Sequence, residues 1–245
     1  MSSGYEAGPK EEHGKGLLFL LVGMMAMAGV FRLLDIAILL FGTPAPGVSR
    51  KKLLRAYVRM WRGVLGRSPF KEGDFARVKV ARGAGLSLSE LTYGETPVFT
   101  AISAMRRAGL KPGATVLDLG AGRGRVLIAA AFLGAHARGV DILPDHVALT
   151  QSYLSDLADV QVADAAKTSL DDVDFVFLTW TCMSERTRRK LEKKLLEAKD
   201  GTRFLCVSHS LEMQGMSPVF ERKPWFTWGK ADLFVVERRK DETER

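Results

Sequence analysis

The chain shows two hydrophobic regimes. Residues 16–41 (GLLFLLVGMMAMAGVFRLLDIAILLF) form one apolar run, uncharged over its first sixteen residues and broken only by Arg32 and Asp35. As a helix the run reaches roughly 40 Å, more than a hydrocarbon core of about 30 Å. Arg32 and Asp35 stand three apart, on one helical face, where they can pair. Charge inside a span is costly, which places the pair near the interface. The pattern predicts a polar tail over 1–15 and a transmembrane or membrane-dipping helix over 16–42. A buried helix or a cleaved signal peptide are the alternatives. The acidic start, the long apolar core and the lack of a small-residue cleavage site count against the second.

From residue 86 the apolar segments shorten and alternate with helical periods. Strands are predicted over 115–119, 137–140, 160–162, 174–180 and 203–208, with helices over 97–108, 125–133, 146–157 and 184–199. Residues 226–227 and 233–237 read as a terminal antiparallel pair turning near Gly229. Short apolar strands separated by helices imply an α/β domain over 86–245, a parallel sheet covered on both faces.

Charge is spread unevenly over these regions. The net charge is +8, yet residues 44–82 alone hold eleven bases against two acids. Residues 83–245 hold 22 of each sign. Within the basic segment, assigned to 43–85, residues 50–67 have helical period with Leu53, Leu54, Val58, Trp61 and Leu65 on one stripe. Apolar residues inserted among headgroups, with guanidinium groups at the phosphates, suit an anionic lipid surface. A helix docked on the α/β domain is the alternative. Nucleic acid is not expected as a partner. By the positive-inside rule the basic side faces the cytoplasm, or the matrix of a mitochondrion. Two cysteines make neither a disulfide framework nor a zinc cluster, and no metal is expected.

The chemistry gathers after the first strand, in Asp118-Leu119-Gly120-Ala121-Gly122-Arg123-Gly124. Glycines at 120, 122 and 124 let the backbone turn sharply and approach a ligand. The spacing is G-x-G-x-G, so the dinucleotide fingerprint is incomplete. Asp118 would repel a pyrophosphate but suits the cation of a sulfonium or amino group. Asp141, ending the second strand 21 residues after Gly120, is placed to accept both hydroxyls of a ribose. Asp164, after the third strand, is placed for an adenine amino group, or serves as a helix cap. These features together favour S-adenosylmethionine as cofactor.

VLDLGAGRGRV, GVD and VADA resemble the cofactor motifs of class I, seven-strand methyltransferases, over about residues 90–240. The resemblance implies a Rossmann-like, doubly wound seven-strand sheet with a C-terminal antiparallel hairpin, here preceded by the N-terminal membrane helix. Thr92-Tyr93-Gly94-Glu95-Thr96, with 175–180, a charged helix and 201–204 following, is similar to the non-SET, disruptor-of-telomeric-silencing type of lysine methyltransferases. The layout also resembles the mitochondrial membrane-anchored lysine methyltransferases. The resemblance implies that Tyr93, Glu95 and Thr96 close over the methionine end of the cofactor. The family's Asn-rich segment appears here as Thr179-Trp180-Thr181-Cys182, and the nucleosome-binding extensions are absent, so histone is not the expected substrate.

Thr179 and Trp180, at the C-terminal end of the fourth strand, are expected to line the acceptor channel. Trp225 and Trp228 read as packing of the terminal hairpin or as cation–π channel walls. His209 and Cys182 read more simply as structural and neutral pocket residues. The expected function is lysine N-methylation of a membrane-protein or membrane-associated substrate by a single-pass enzyme. Methylation of a lipid, quinone or other membrane-dissolved small molecule is the alternative, and a cofactor-binding interaction module is a third reading.

Overall fold

The computed structural model describes residues 10–66, 80–87, 90 and 94–239, with side chains described over 26–63 and within 80–239. Strands β1 (Thr115–Leu119), β2 (His136–Asp141), β3 (Ala158–Val162), β4 (Phe175–Thr179), β5 (Arg203–Val207), β6 (Met216–Arg222) and β9 (Leu233–Arg238) form one sheet in the order β3-β2-β1-β4-β5-β9-β6. The first five run parallel, and β9 inserts antiparallel between β5 and β6. Strand period sorts the side chains. Val116, Phe175, Phe177 and Leu205 enter one hydrophobic cluster, while Leu117, Val176, Leu178 and Phe204 enter the other. Helices α3 (Val98–Arg107), α4 (Arg125–Phe132) and α5 (Pro144–Leu154) cover the first face, and α6 (Glu185–Leu195) the second.

Helix α4 explains what the N-terminal helices do. Its sequence, RVLIAAAF, is buried at every position. A helix apolar all round needs cover on the side away from the sheet. That cover comes from α1 (Lys10–Phe41) and α2 (Arg50–Gly66). Leu39 of α1 and Leu53, Ala56, Tyr57 and Met60 of α2 are buried in the same cluster as α4. The Ala45 N–H donates to Phe132 O at 2.9 Å, closing the cover over the end of α4.

Among the described residues no helix is long and apolar enough to cross a membrane. Phe31, Asp35 and Leu39 lie four apart on one face of α1, and all three are buried. Asp35 therefore turns into the domain, away from any interface. Arg32 lies over the Trp61 ring at 3.8 Å instead of pairing with Asp35. The buried stripe of α2 runs through Leu53, Ala56, Tyr57 and Met60, whereas Val58 is exposed and Leu54 and Trp61 are half-buried. Leu65 falls outside the described side chains.

The terminal hairpin is also redrawn. Residues 225–226 (β7, Trp225–Phe226) pair with β8 (Gly229–Lys230) in a separate ribbon, and the partners of β9 are β5 and β6. β6 escapes a hydrophobic reading because it is the sheet edge, half exposed along its length. Its register shifts between Pro218 and Phe220, where a missing N–H does least harm.

Candidate cofactor cleft

The strand order reverses between β1 and β4, and a cavity of about 420 Å³ opens at the carboxyl ends of the strands there. Its size lies in the usual range of small-molecule pockets, about 300–1,000 Å³. The glycine loop forms part of its wall. The N–H groups of Gly120 and Ala121 both donate to Val140 O at 2.9 Å, which folds the loop back over β2. Gly120 and Gly124 both have positive φ, +90° and +71°, but they serve different ends. A Cβ on Gly120, which lines the cavity, would meet nothing within 4 Å; a ligand can lie directly on this backbone. A Cβ on Gly124 would strike Leu154 Cδ1 at 2.4 Å, so this glycine serves the contact between loop and α5. From α5, Thr150 Oγ1 donates to Gly122 O at 2.7 Å and the Tyr153 hydroxyl donates to Arg123 O at 2.9 Å.

Asp141 lines the cavity, and its carboxylate is fixed. Oδ2 accepts the Gly122 N–H and Oδ1 the Leu143 N–H, both at 2.9 Å. His146 Nδ1 lies 3.7 Å from Oδ2. Two of the carboxylate's four lone-pair sites, roughly, are taken, and the others remain for ribose hydroxyls. Asp164 also lines the cavity, and it serves as a cap: its Oδ1 caps the turn Ala165–Lys167 by accepting the Ala166 N–H at 3.0 Å. Ile142, Leu143 and Ala163 add apolar wall between these two acids. An open glycine shelf, a fixed carboxylate and a flat apolar wall suit S-adenosylmethionine, so the residues fit the group.

Asp118 stands behind the cavity. It is buried and does not line the opening. Burial, helped by the nearby Asp141 charge, pushes its carboxyl up to about 8, so it is neutral at pH 7. It is therefore not the ready anion expected at the strand end. Glu95 and Thr96 are likewise set back. Glu95 pairs with Arg123 at 3.0 Å and with Arg125, and Thr96 is buried. Gly94, between them and the opening, does line the cavity. Tyr93 lies outside the described residues. Gly122 and Gly124 shape the loop from behind.

At the far end, Thr179 lines the cavity, whereas Trp180 is fully buried in the second cluster with its Nε1 donating to His209 O at 2.9 Å. Neighbouring residues of an extended chain face opposite sides, so only one of the pair reaches the opening. Trp228 lines the cavity and stacks on Phe226 at 4.8 Å, while Trp225 is exposed beside Lys230. His209 is exposed and touches this region through its backbone. Cys182 is exposed and lines the cavity.

Sequence reasoning missed Glu90. Its Oε1 accepts the Ser184 N–H at 2.9 Å and Oε2 the Ser87 N–H at 2.8 Å. Burial works to raise its pKa, but hydrogen bonds from the Thr187 side chain and from the Ser87 and Ser184 backbone hold it down at about 2. It thus presents a fixed negative charge in the cavity wall.

Residues 116–202 match a family model described as a methyltransferase domain. The chain carries an S-adenosylmethionine-dependent methyltransferase domain. Among solved structures, an RNA methyltransferase from Salinibacter ruber in complex with S-adenosyl-L-homocysteine is similar, with a TM-score of 0.52 and 20% identity over 62% of this chain and 97% of that one. TrmN from Thermus thermophilus gives 0.50 and 20% over 58% of this chain; the match spans only 48% of TrmN. The [4+2]-cyclase SpnF gives 0.50 and 12% over 59% of this chain and 82% of that one. At such identities the likeness concerns the fold, which hosts more than one chemistry. No curated protein matches the chain in sequence.

Proposed function

We propose that this methyltransferase modifies a lysine side chain of a protein held at a membrane surface. The observation that carries the reading is Glu90, an ionised carboxylate in the cavity wall with Thr179, Cys182 and Trp228. Such a charge attracts an alkylammonium, and the Trp228 indole offers a π-system suited to a cation. At about 2, Glu90 is too weak a base to take the ammonium proton at neutral pH; it attracts and orients. Leu86, Met183 and Leu191 make the same wall apolar, which excludes water and favours the neutral amine that attacks. When bound, S-adenosylmethionine supplies an electrophilic methyl group on a sulfonium. The likeness of residues 92–96 to the lysine-modifying family supports the same acceptor.

The membrane setting has its own support. The side of α1 away from the domain is apolar and open: Leu33 is 68% and Phe41 83% exposed. Exposed Arg50 donates to the carbonyls of Leu40 and Gly42, so the basic α2 begins beside this ridge. An apolar ridge bordered by bases suits an anionic lipid surface, with the catalytic domain on the cytoplasmic or matrix side.

The test incubates the enzyme and membranes of its source with methyl-labelled cofactor. Labelled methyl-lysine in the protein hydrolysate is the expected product. Glu90→Gln should lower it about tenfold, the worth of one charge-assisted hydrogen bond, with the Kd of S-adenosylhomocysteine, which lacks the sulfonium charge, unchanged. Label confined to the lipid extract would overturn the lysine reading in favour of a lipid or quinone acceptor, which the apolar wall also accommodates.

A further inference from the structure

The family match begins at residue 116, yet a buried charged cluster at the glycine loop depends on a residue far upstream. Asp35 of α1 has no exposed surface. Its Oδ1 accepts the Phe99 N–H at 2.9 Å, at the start of α3. Its Oδ2 accepts the Tyr57 hydroxyl of α2 at 3.0 Å and lies 3.6 Å from Arg125 Nη1. Arg125, the first residue of α4, also pairs with Glu95, lies 4.9 Å from the Trp61 ring centroid and is 95% buried. Glu95 in turn pairs with Arg123 inside the glycine loop at 3.0 Å. Two acids and two arginines thus form a balanced chain from the N-terminal helices to the loop. At the loop end of that chain Arg123 and Arg125 flank Gly124, and Arg123 follows Gly122, whose N–H is one of the two backbone donors that fix Asp141.

We propose that Asp35 is a positioning residue for the cofactor: through Arg125 and Glu95 it fixes the glycine loop and thereby the Asp141 carboxylate. The physical reason is orphaned charge. A guanidinium this buried cannot find water if one of its carboxylates is removed. The least costly relief is for Arg125 to shift toward its remaining partner Glu95 or toward solvent. Either shift drags the loop, because Arg125 follows Gly124 directly. Thr150 and Tyr153 anchor the loop only from the α5 side. The N-terminal helices therefore do more than cover α4; they complete the mould in which the cofactor loop is cast. The proposal concerns cofactor binding and is independent of which acceptor is methylated.

The test measures the Kd of S-adenosylhomocysteine by calorimetry on the full chain, with circular dichroism as the check on folding. Asp35→Asn keeps the volume and should weaken binding on the order of tenfold, within the usual range of coupling between sites. Arg125→Met should do the same, and the double variant should be no weaker than Arg125→Met alone, because both act through one contact. In turnover, the KM for cofactor should rise while the KM for the methyl acceptor stays. Tyr57→Phe, which loosens Asp35 without removing a charge, should shift Kd in the same direction by a smaller factor and serves alone if Asp35→Asn does not fold. Wild-type affinity in a folded Asp35→Asn or, failing that, in Tyr57→Phe would overturn the proposal. So would strictly additive losses in the double variant, which would make Asp35 a structural residue only.

Discussion

Asp141→Ala should lose S-adenosylmethionine affinity by about two orders of magnitude or more. Two effects add. The variant loses the acceptors left for the ribose hydroxyls, and hydrogen bonds to a charged group contribute about 1.5–3 kcal/mol each. It also releases the Gly122 and Leu143 N–H groups, which donate to this carboxylate, so the loop loses its shape at the cofactor. Asp141→Asn separates the two effects, since it keeps the volume and one acceptor oxygen; its loss should be intermediate. Calorimetry with each purified variant decides the matter. If Asp141→Ala binds as the wild type does, the ribose does not sit on this residue.

A second large effect should appear in stability against pH, without any ligand. Asp118 is neutral in the folded protein up to about pH 8, whereas in an unfolded chain it ionises near 3.8. The folded state therefore holds a proton that the unfolded state releases. Its contribution is fully present below about pH 4 and is lost as pH rises through about 8. The expected slope is a fall of about 1.4 kcal/mol per pH unit across that window, reaching several kcal/mol in all. Asp118→Asn has no proton to lose and should remove this contribution to the slope. Its amide must find partners in a buried site, so the slope, not the absolute stability, is diagnostic. Asp35, raised to about 6 mainly by burial, adds a smaller decline below pH 6 in both proteins alike. Urea denaturation at pH 5, 7 and 9 measures this. Parallel curves for wild type and variant between pH 5 and 7 would show that Asp118 is not a buried, protonated acid.

Much of the fold was legible in the sequence because buried parallel strands need apolar runs. TVLDL and FVFLT could be little else, and the glycine loop with acids at the neighbouring strand ends marked the cleft. β6 was illegible for the converse reason: an edge strand with Pro218 and an exposed face has no hydrophobic signature. Hydropathy alone predicts a membrane helix for the N-terminal run, because it does not say what covers an apolar face. The decisive signal was elsewhere, in RVLIAAAF, whose outer face had to be covered by something in the chain. Asp35 in the middle of an apolar run was the second sign, since a buried acid calls for a buried base. Trp180 and Glu90 mark the limit at the site. Which of two adjacent residues faces a cavity, and which upstream acid folds back onto a helix start, are set by tertiary packing.

The loop after β1 and the carboxylates at the neighbouring strand ends are proposed to hold a methyl-donating nucleoside. A crystal structure of the full chain with S-adenosylhomocysteine tests this placement most directly. The ribose hydroxyls should lie on Asp141, the adenine beside Asp164 and against Leu143, and the sulfur toward Thr179 and Glu90. A nucleoside bound elsewhere, or turned so that its ribose leaves Asp141 unengaged, would contradict it.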